Sequence, residues 1–192
     1  MVRIQKPLPG QLVVSIIYSS IDALADSLRV LENKFSRVEC ETTEVPCSAQ
    51  ERYREEMGDN LQRRFFSFEQ PVACDSLPEI KATCHKIEQM FSDHVRDFYF
   101  RTVNIDPGIL TPDKLIMASY REYNYRIYLG GSVFAQLELI FSQGKFMRLP
   151  WTNPDYCHDE AIELFSRVRN SFEPTESKQQ ERSALSDVGP IF

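Results

Sequence analysis

Three polar stretches hold residues whose types and spacing could do chemistry. The first, Tyr53-Arg54-Glu55-Glu56-Met57-Gly58-Asp59-Asn60-Leu61-Gln62-Arg63-Arg64, crowds arginines and carboxylates just ahead of Phe65 and Phe66. In an extended chain Leu61, Arg63 and Phe65 point one way and Gln62, Arg64 and Phe66 the other. An arginine must therefore share a face with aromatics, where it packs or holds an anion. The second, Asn104-Ile105-Asp106-Pro107-Gly108-Ile109-Leu110-Thr111-Pro112-Asp113-Lys114, reads as a polar turn with Gly108 free to take positive φ at the corner. A short helix over 112–119 would follow, its free N–H groups attracting anions. Lys114 would lie in its first turn, mildly unfavourable there unless it faces a negative partner. The third, Leu149-Pro150-Trp151-Thr152-Asn153-Pro154-Asp155-Tyr156, sets the single tryptophan between two prolines and places Asp155 near a helix start.

Gathered by the fold, Arg63, Lys114 and Arg126 would neutralise an anionic ligand such as a phosphorylated metabolite or nucleotide. Glu56, Asp106 and Asp155 would orient those cations or hold a divalent metal through oxygen ligands. Tyr53, Asn104 and Trp151 complete the candidate ligand-binding set. Each stretch also has a structural reading: solvated ion pairs at helical spacing, Asp106 closing its own turn, Trp151 as a core plug, Asp155 or Asp159 as a helix cap. Arg121-Glu122-Tyr123-Asn124-Tyr125-Arg126 interleaves two guanidiniums with two phenols, a pattern that could stack bases, but the acidic total and the lack of an RNP-like or Gly/Arg pattern speak against RNA.

Composition narrows the classes. The 192 residues are 42% apolar and 26% charged, with a net charge of −6, as in an ordinary soluble protein. That balance argues against a nucleic-acid or membrane partner, and Leu12 to Tyr18, the longest apolar run, is too short to span a bilayer. Met1-Val2-Arg3 leads into no apolar signal region. The five cysteines, Cys40, Cys47, Cys74, Cys84 and Cys157, form no CxxC pair. They read as reduced thiols of a cytoplasmic protein rather than as a metal site. No GxxxxGK[ST], GxGxxG, HExxH or GxSxG is present, so the sequence names no reaction and no cofactor.

The elements that must position these residues follow from periodicity. Leu12 to Tyr18 predicts a central strand, and Ile21 to Phe35 an amphipathic helix with Leu24, Leu28, Leu31 and Phe35 on one face. Arg37 to Cys47 alternates as a strand, and Ala49 to Met57 predicts a short helix stopped by Gly58. Leu61 to Phe68 is the next strand; Ser76-Leu77-Pro78-Glu79 reads as a capping box launching a helix to Phe91; Asp97 to Ile105 is again a strand. Tyr123 to Leu129, Ser132 to Ser142 and Lys145 to Pro150 predict a meander, and Asp159 to Phe172 a final helix. The expectation is an α+β domain over 1–173: two βαβ units resembling a ferredoxin-like layer, extended by the C-terminal antiparallel meander and final helix, with helices on one face of the sheet. Residues 174–192 are expected to be a disordered polar tail.

Together the three stretches resemble a bacterial family known as domain of unknown function 4416. Its pattern, YxxEMGxxLxRxF, NxDPG with a following lysine, RIYL and PWTxPDY, is matched by Tyr53 to Phe65, Asn104 to Lys114, Arg126 to Leu129 and Pro150 to Tyr156, in order, over residues 10 to 172. The GTP-binding label that some members bear is not supported here, since the P-loop is missing. Tyr125 stands where the family pattern has histidine, Phe134-Ala135-Gln136-Leu137-Glu138-Leu139 where it has YAEVTL, and Cys157 where arginine often follows PDY. Any chemistry that relatives draw from those three residues would be lost in this member. The expectation is thus a small-anion-binding protein. The alternative is a non-catalytic interaction or scaffold protein whose polar stretches are structural turns and whose exposed hairpin edge or acidic tail makes the contact.

Overall fold

The computed structural model describes residues 7–95 and 98–172. It is an α+β structure built on one large antiparallel sheet of nine strands. Strand β1 (Gly10–Tyr18) runs up its centre, buried along its whole length, paired on one side with β4 (Gln62–Val72) and on the other with β7 (Val103–Thr111). Short β2 (Val38–Glu41) and β3 (Val45–Pro46) both pair with β4. Beyond β7 come β8 (Lys114–Ser119) and β10 (Val133–Ser142), the latter flanked by β9 (Ile127–Gly130) and β11 (Lys145–Arg148). A separate ribbon pairs β5 (Ser92–Val95) with β6 (Phe98–Arg101). The expected tail over 174–192 lies outside the described residues.

Alternation along β1 divides the core. Leu12, Val14, Ile16 and Tyr18 pack with Phe66, Phe68 and Ile105 against helices α1 (Ile21–Lys34) and α3 (Leu77–Met90). Val13 turns the other way, with Phe65 and Leu115, beneath helix α4 (Asp159–Asn170). Burial of each such side chain stabilises by roughly 1.5–3 kcal/mol. Helices therefore cover both faces of the sheet rather than the single face expected. The periodicities of α1 and α4 described their own apolar stripes but not the side of the sheet each one meets. The short helix α2 (Gln50–Met57) ends at Gly58, whose φ of 81° is open to glycine at little cost. The capping box before α3 does not form: Ser76 Oγ instead donates to the carbonyl of Ala73, because a 3-10 turn (Cys74–Ser76) already leads into the helix.

The largest departure falls on the second polar stretch. Asn104 to Thr111 is not a turn but all of β7 except its first residue, and residues 114–119 form strand β8 instead of a helix. Leu115 and Met117 face the α4 core while Ala118 joins the opposite cluster around Leu77, a period of two and not 3.6. Gly108 serves close approach rather than positive φ: a Cβ there would overlap Met117 Sδ and come within 2.5 Å of the Ile116 carbonyl oxygen. Pro107 has no N–H to give a ladder, and the β7–β8 pairing ends beside it at Gly108–Met117. From there toward Asn104 the two strands part.

Gly108→Ala is accordingly expected to destabilise by about 1–3 kcal/mol through overpacking. At roughly 2–4 °C per kcal/mol for a chain of this size, a thermal melt will show the loss. An unchanged melting temperature would mean that the β7–β8 contact is looser than described.

Candidate functional site

The parted strands open a cavity of about 230 Å³. Its construction starts with backbone groups left without a strand partner. At Ile105 on β7, the carbonyl accepts from Lys81 Nζ at 2.9 Å and the N–H donates to Glu88 Oε1 at 2.5 Å. Both side chains come from α3, two turns apart, and replace a neighbouring strand at that residue. Since Ile105 packs toward α3, Asp106 faces the other side, and Lys81 reaches through the gap to its carboxylate at 2.8 Å. Asn104 Nδ2 donates to the other oxygen of the same carboxylate at 2.8 Å. Burial alone would raise the Asp106 pKa, but the Lys81 charge and hydrogen bond, with help from Asn104 and Arg63, hold it down at about 2.

On the α4 side Arg63 is 3% exposed and Asp155 not at all. Arg63 Nε lies 2.8 Å from Asp155 Oδ2, a close charge contact whose N–H direction misses hydrogen-bond geometry, while Nη1 donates to Ser15 Oγ at 2.7 Å. The guanidinium also lies 5.7 Å from the Tyr156 ring centroid and 6.0 Å from that of Phe65. Asp155 accepts in addition from the Ser48 N–H through both oxygens. One ion pair thus joins β4, the turn before α4 and the segment entering α2.

The opposite wall comes from β10 and the segment after β8. Arg126 donates from Nε to Gln136 Oε1 at 2.8 Å, and from Nη1 to Ser119 Oγ and the Arg121 carbonyl, both at 2.7 Å. Glu138 is 2% exposed and accepts from the Asn153 N–H at 2.6 Å and from Gln136 Nε2 at 2.5 Å. Its carboxyl is pushed up to about 7, chiefly by burial, against the pull of Asn153 and of the Arg126 and Arg63 charges. Arg101 bonds Glu56 at 3.0 Å and lies 3.5 Å from Glu88; with Arg121 it brackets the ring of Tyr53, at 5.2 and 5.4 Å.

Of the nine residues read from the sequence, Tyr53, Arg63, Asn104, Asp106 and Arg126 line this one cavity. Glu56 and Asp155 stand behind its wall as partners of Arg101 and Arg63. Trp151 also lies behind it, stacked on Tyr125, with Nε1 donating to the Leu137 carbonyl. Lys114 does not take part. It is exposed at the turn closing β7 on β8, at the other end of β8 from the cavity-lining Met117 to Arg121, because the helix meant to place it is a strand. Sequence reasoning missed Lys81, Glu88, Arg101, Gln136 and Glu138 as site residues. The signal for two of them was present: Lys81 and Glu88 are charged positions within the otherwise apolar face of α3. Among the described residues no cluster of three or more His, Cys, Asp or Glu could hold a metal, so Glu56, Asp106 and Asp155 do not form an oxygen cage. No helix among them is long and apolar enough to cross a membrane.

A family model described as Domain of unknown function (DUF4416) matches residues 8–172. No curated protein and no solved structure matches the chain.

Two outcomes follow from this geometry. Asp155→Ala leaves the Arg63 charge buried and uncompensated, which costs about 3–5 kcal/mol; chemical denaturation should show the midpoint falling accordingly, and a loss under 1 kcal/mol would contradict the pairing. Glu138 acts through pH. Between its ordinary value of 4.5 and about 7, the native protein keeps a proton that the unfolded chain has released, so stability falls as pH rises through that window. Across it, Glu138→Gln should gain about 3 kcal/mol relative to wild type. Parallel pH profiles for the two proteins would show that Glu138 titrates normally.

Proposed function

We propose that this chain, which belongs to the DUF4416 family, binds a small anionic ligand, a phosphorylated metabolite or a nucleotide, in the cavity between β7, β8 and β10. One observation carries the reading. Six cationic side chains (Arg52, Arg63, Lys81, Arg101, Arg121 and Arg126) line the cavity against three carboxylates (Glu88, Asp106 and Glu138), in a chain whose net charge is −6. The local balance opposes the global one, which concentrates an anion at this point of the surface. Arg63 and Lys81 are held by carboxylates, whereas Arg52 and Arg121 are exposed at the rim without an ion-pair partner among the described residues. Arginines held by a folded frame and lacking a counter-charge suit bidentate recognition of a phosphate or carboxylate. The reading is of binding; Glu138 is one group in the cavity suited to moving a proton, by its burial and raised pKa.

Other parts of the sequence reading belong here too. The order β7-β1-β4-β2, antiparallel throughout, with α1 between β1 and β2 in the chain and α3 between β4 and β7, supports a ferredoxin-like inner layer of two split βαβ units. The free thiols at Cys40, Cys47, Cys84 and Cys157 support a cytoplasmic setting. A second reading, a protein-interaction role, is favoured by edge strand β9, where Ile127, Tyr128 and Leu129 are 71%, 61% and 41% exposed.

A thermal-shift panel of sugar phosphates, nucleotides, pyrophosphate and divalent metals separates the two. A ligand at 100 times its dissociation constant adds about 2.7 kcal/mol, a rise of roughly 5–10 °C for a chain of this length. The expected outcome is such a rise with at least one phosphorylated compound, abolished in Arg121→Ala, whose exposed side chain is dispensable for folding. A flat panel would reject anion binding and leave the β9 edge as the site of function.

A further inference from the structure

We infer that the anion bound in this cavity carries a planar aromatic group that stacks on the outer face of Tyr123, which makes the ligand a nucleotide rather than a sugar phosphate or an inorganic anion. The inference rests on the anion-binding reading above and narrows it. It starts from a column of three rings. Tyr123 and Tyr125 are parallel to within 2°, Tyr125 and Trp151 to within 5°, and each pair has its ring centroids 5.5 Å apart. Offset-stacked rings of this kind are favourable beyond their buried area. The inner end is anchored, since Trp151 donates from Nε1 to the Leu137 carbonyl at 2.8 Å. At the outer end Tyr123 is 40% exposed.

Arg126 ties this column to the cavity. Its guanidinium carbon lies 4.8 Å from the Tyr123 centroid and 5.9 Å from that of Tyr125. With the two rings only 5.5 Å apart, that triangle is too compact for the guanidinium to cover the far side of Tyr123. Arg126 therefore flanks the column and leaves the outer tyrosine face open. The same side chain lines the cavity, so an anion bonded to Arg126 has its next portion at Tyr123. The cavity, at about 230 Å³, has room for the anionic group; the planar group would lie outside its lining, against Tyr123 on the other side of Arg126.

The segment carrying the rings is set in place before any ligand arrives. The Arg126 N–H donates to the Tyr123 carbonyl at 3.0 Å, the Arg121 N–H to Ser119 Oγ at 3.1 Å, and Arg126 Nη1 to the Arg121 carbonyl. Stacking on a preformed aromatic platform accepts any base, because every base has a π face. The column thus predicts an aromatic group without choosing among purines and pyrimidines.

The test is calorimetric titration of the full chain with inorganic pyrophosphate, adenosine, ADP and GDP, in wild type, Tyr123→Ala and Tyr123→Trp. ADP and GDP should bind at least about tenfold more tightly than pyrophosphate, and Tyr123→Ala should weaken both by roughly 5- to 150-fold, the range of a lost base–aromatic stack. Pyrophosphate affinity should be the same in all three proteins, and Tyr123→Trp should retain nucleotide affinity. Fluorescence of Trp151, the single tryptophan, should change with ADP and not with pyrophosphate. Pyrophosphate binding as tightly as ADP, or Tyr123→Ala leaving ADP affinity unchanged, overturns the aromatic inference while anion binding stands. Failure of pyrophosphate and both nucleotides to bind overturns both.

Discussion

The structure turns on how the backbone of one residue of β7, Ile105, is satisfied. Where β7 and β8 part, Ile105 would leave a carbonyl and an N–H without a strand neighbour, and a buried orphan of either kind costs about 1–3 kcal/mol. Lys81 and Glu88 from α3 take those two roles. The sheet can then stay open beside Asp106 without a penalty in hydrogen bonding, and the opening is the cavity. The arrangement needs charged side chains two helical turns apart on the buried face of α3. Two ions there would ordinarily be costly; here Lys81 also meets Asp106 and Glu88 approaches Arg101, so neither is left uncompensated.

Much of the fold was legible because its main elements have strong periods. The run Leu12 to Tyr18, the stripe Leu24-Leu28-Leu31 and the three strands of the expected meander reappear with boundaries shifted by a few residues. The meander itself does not, since β9 and β11 lie end to end along the one edge of β10 that β8 leaves open. The second polar stretch was misread because its local chemistry is that of a turn. Asp-Pro-Gly ordinarily bends a chain, and nothing nearby in sequence reveals that Gly108 is needed for the passage of Met117 or that Pro107 marks the end of a ladder. Both facts depend on β8, which Thr111-Pro112-Asp113 disguised as a helix start. Short apolar runs such as Leu115 to Ala118 carry too few residues for a period of two to be told from one of 3.6.

The cavity was legible in a different way. Residues within polar stretches, such as Arg63 and Asp106, were found because polarity next to aromatics is conspicuous. Those embedded in well-patterned elements were not. Lys81 and Glu88 interrupt an otherwise sound helical stripe, and Gln136 and Glu138 alternate with apolar residues along β10 as the outward face of an ordinary strand would. β10 does have an inward polar face, because the loop carrying Trp151 and Asn153 folds over it and buries Glu138. That burial is a product of topology and leaves no trace in local sequence. Tyr125 takes the middle place in the aromatic column, and Gln136 holds Arg126 in position.

The reach of Lys81 through the sheet has a mechanical side. Asp106 belongs to the face that carries α4, whereas Lys81 is rooted in the helix on the other face. Cavity and α3 are therefore joined through Lys81, which bonds both the Ile105 carbonyl and Asp106, with Glu88 tying α3 to the same residue of β7. Any shift of the Asp106 carboxylate away from Lys81, or any tilt of α3 away from β7, would have to lengthen the same 2.8 Å contact.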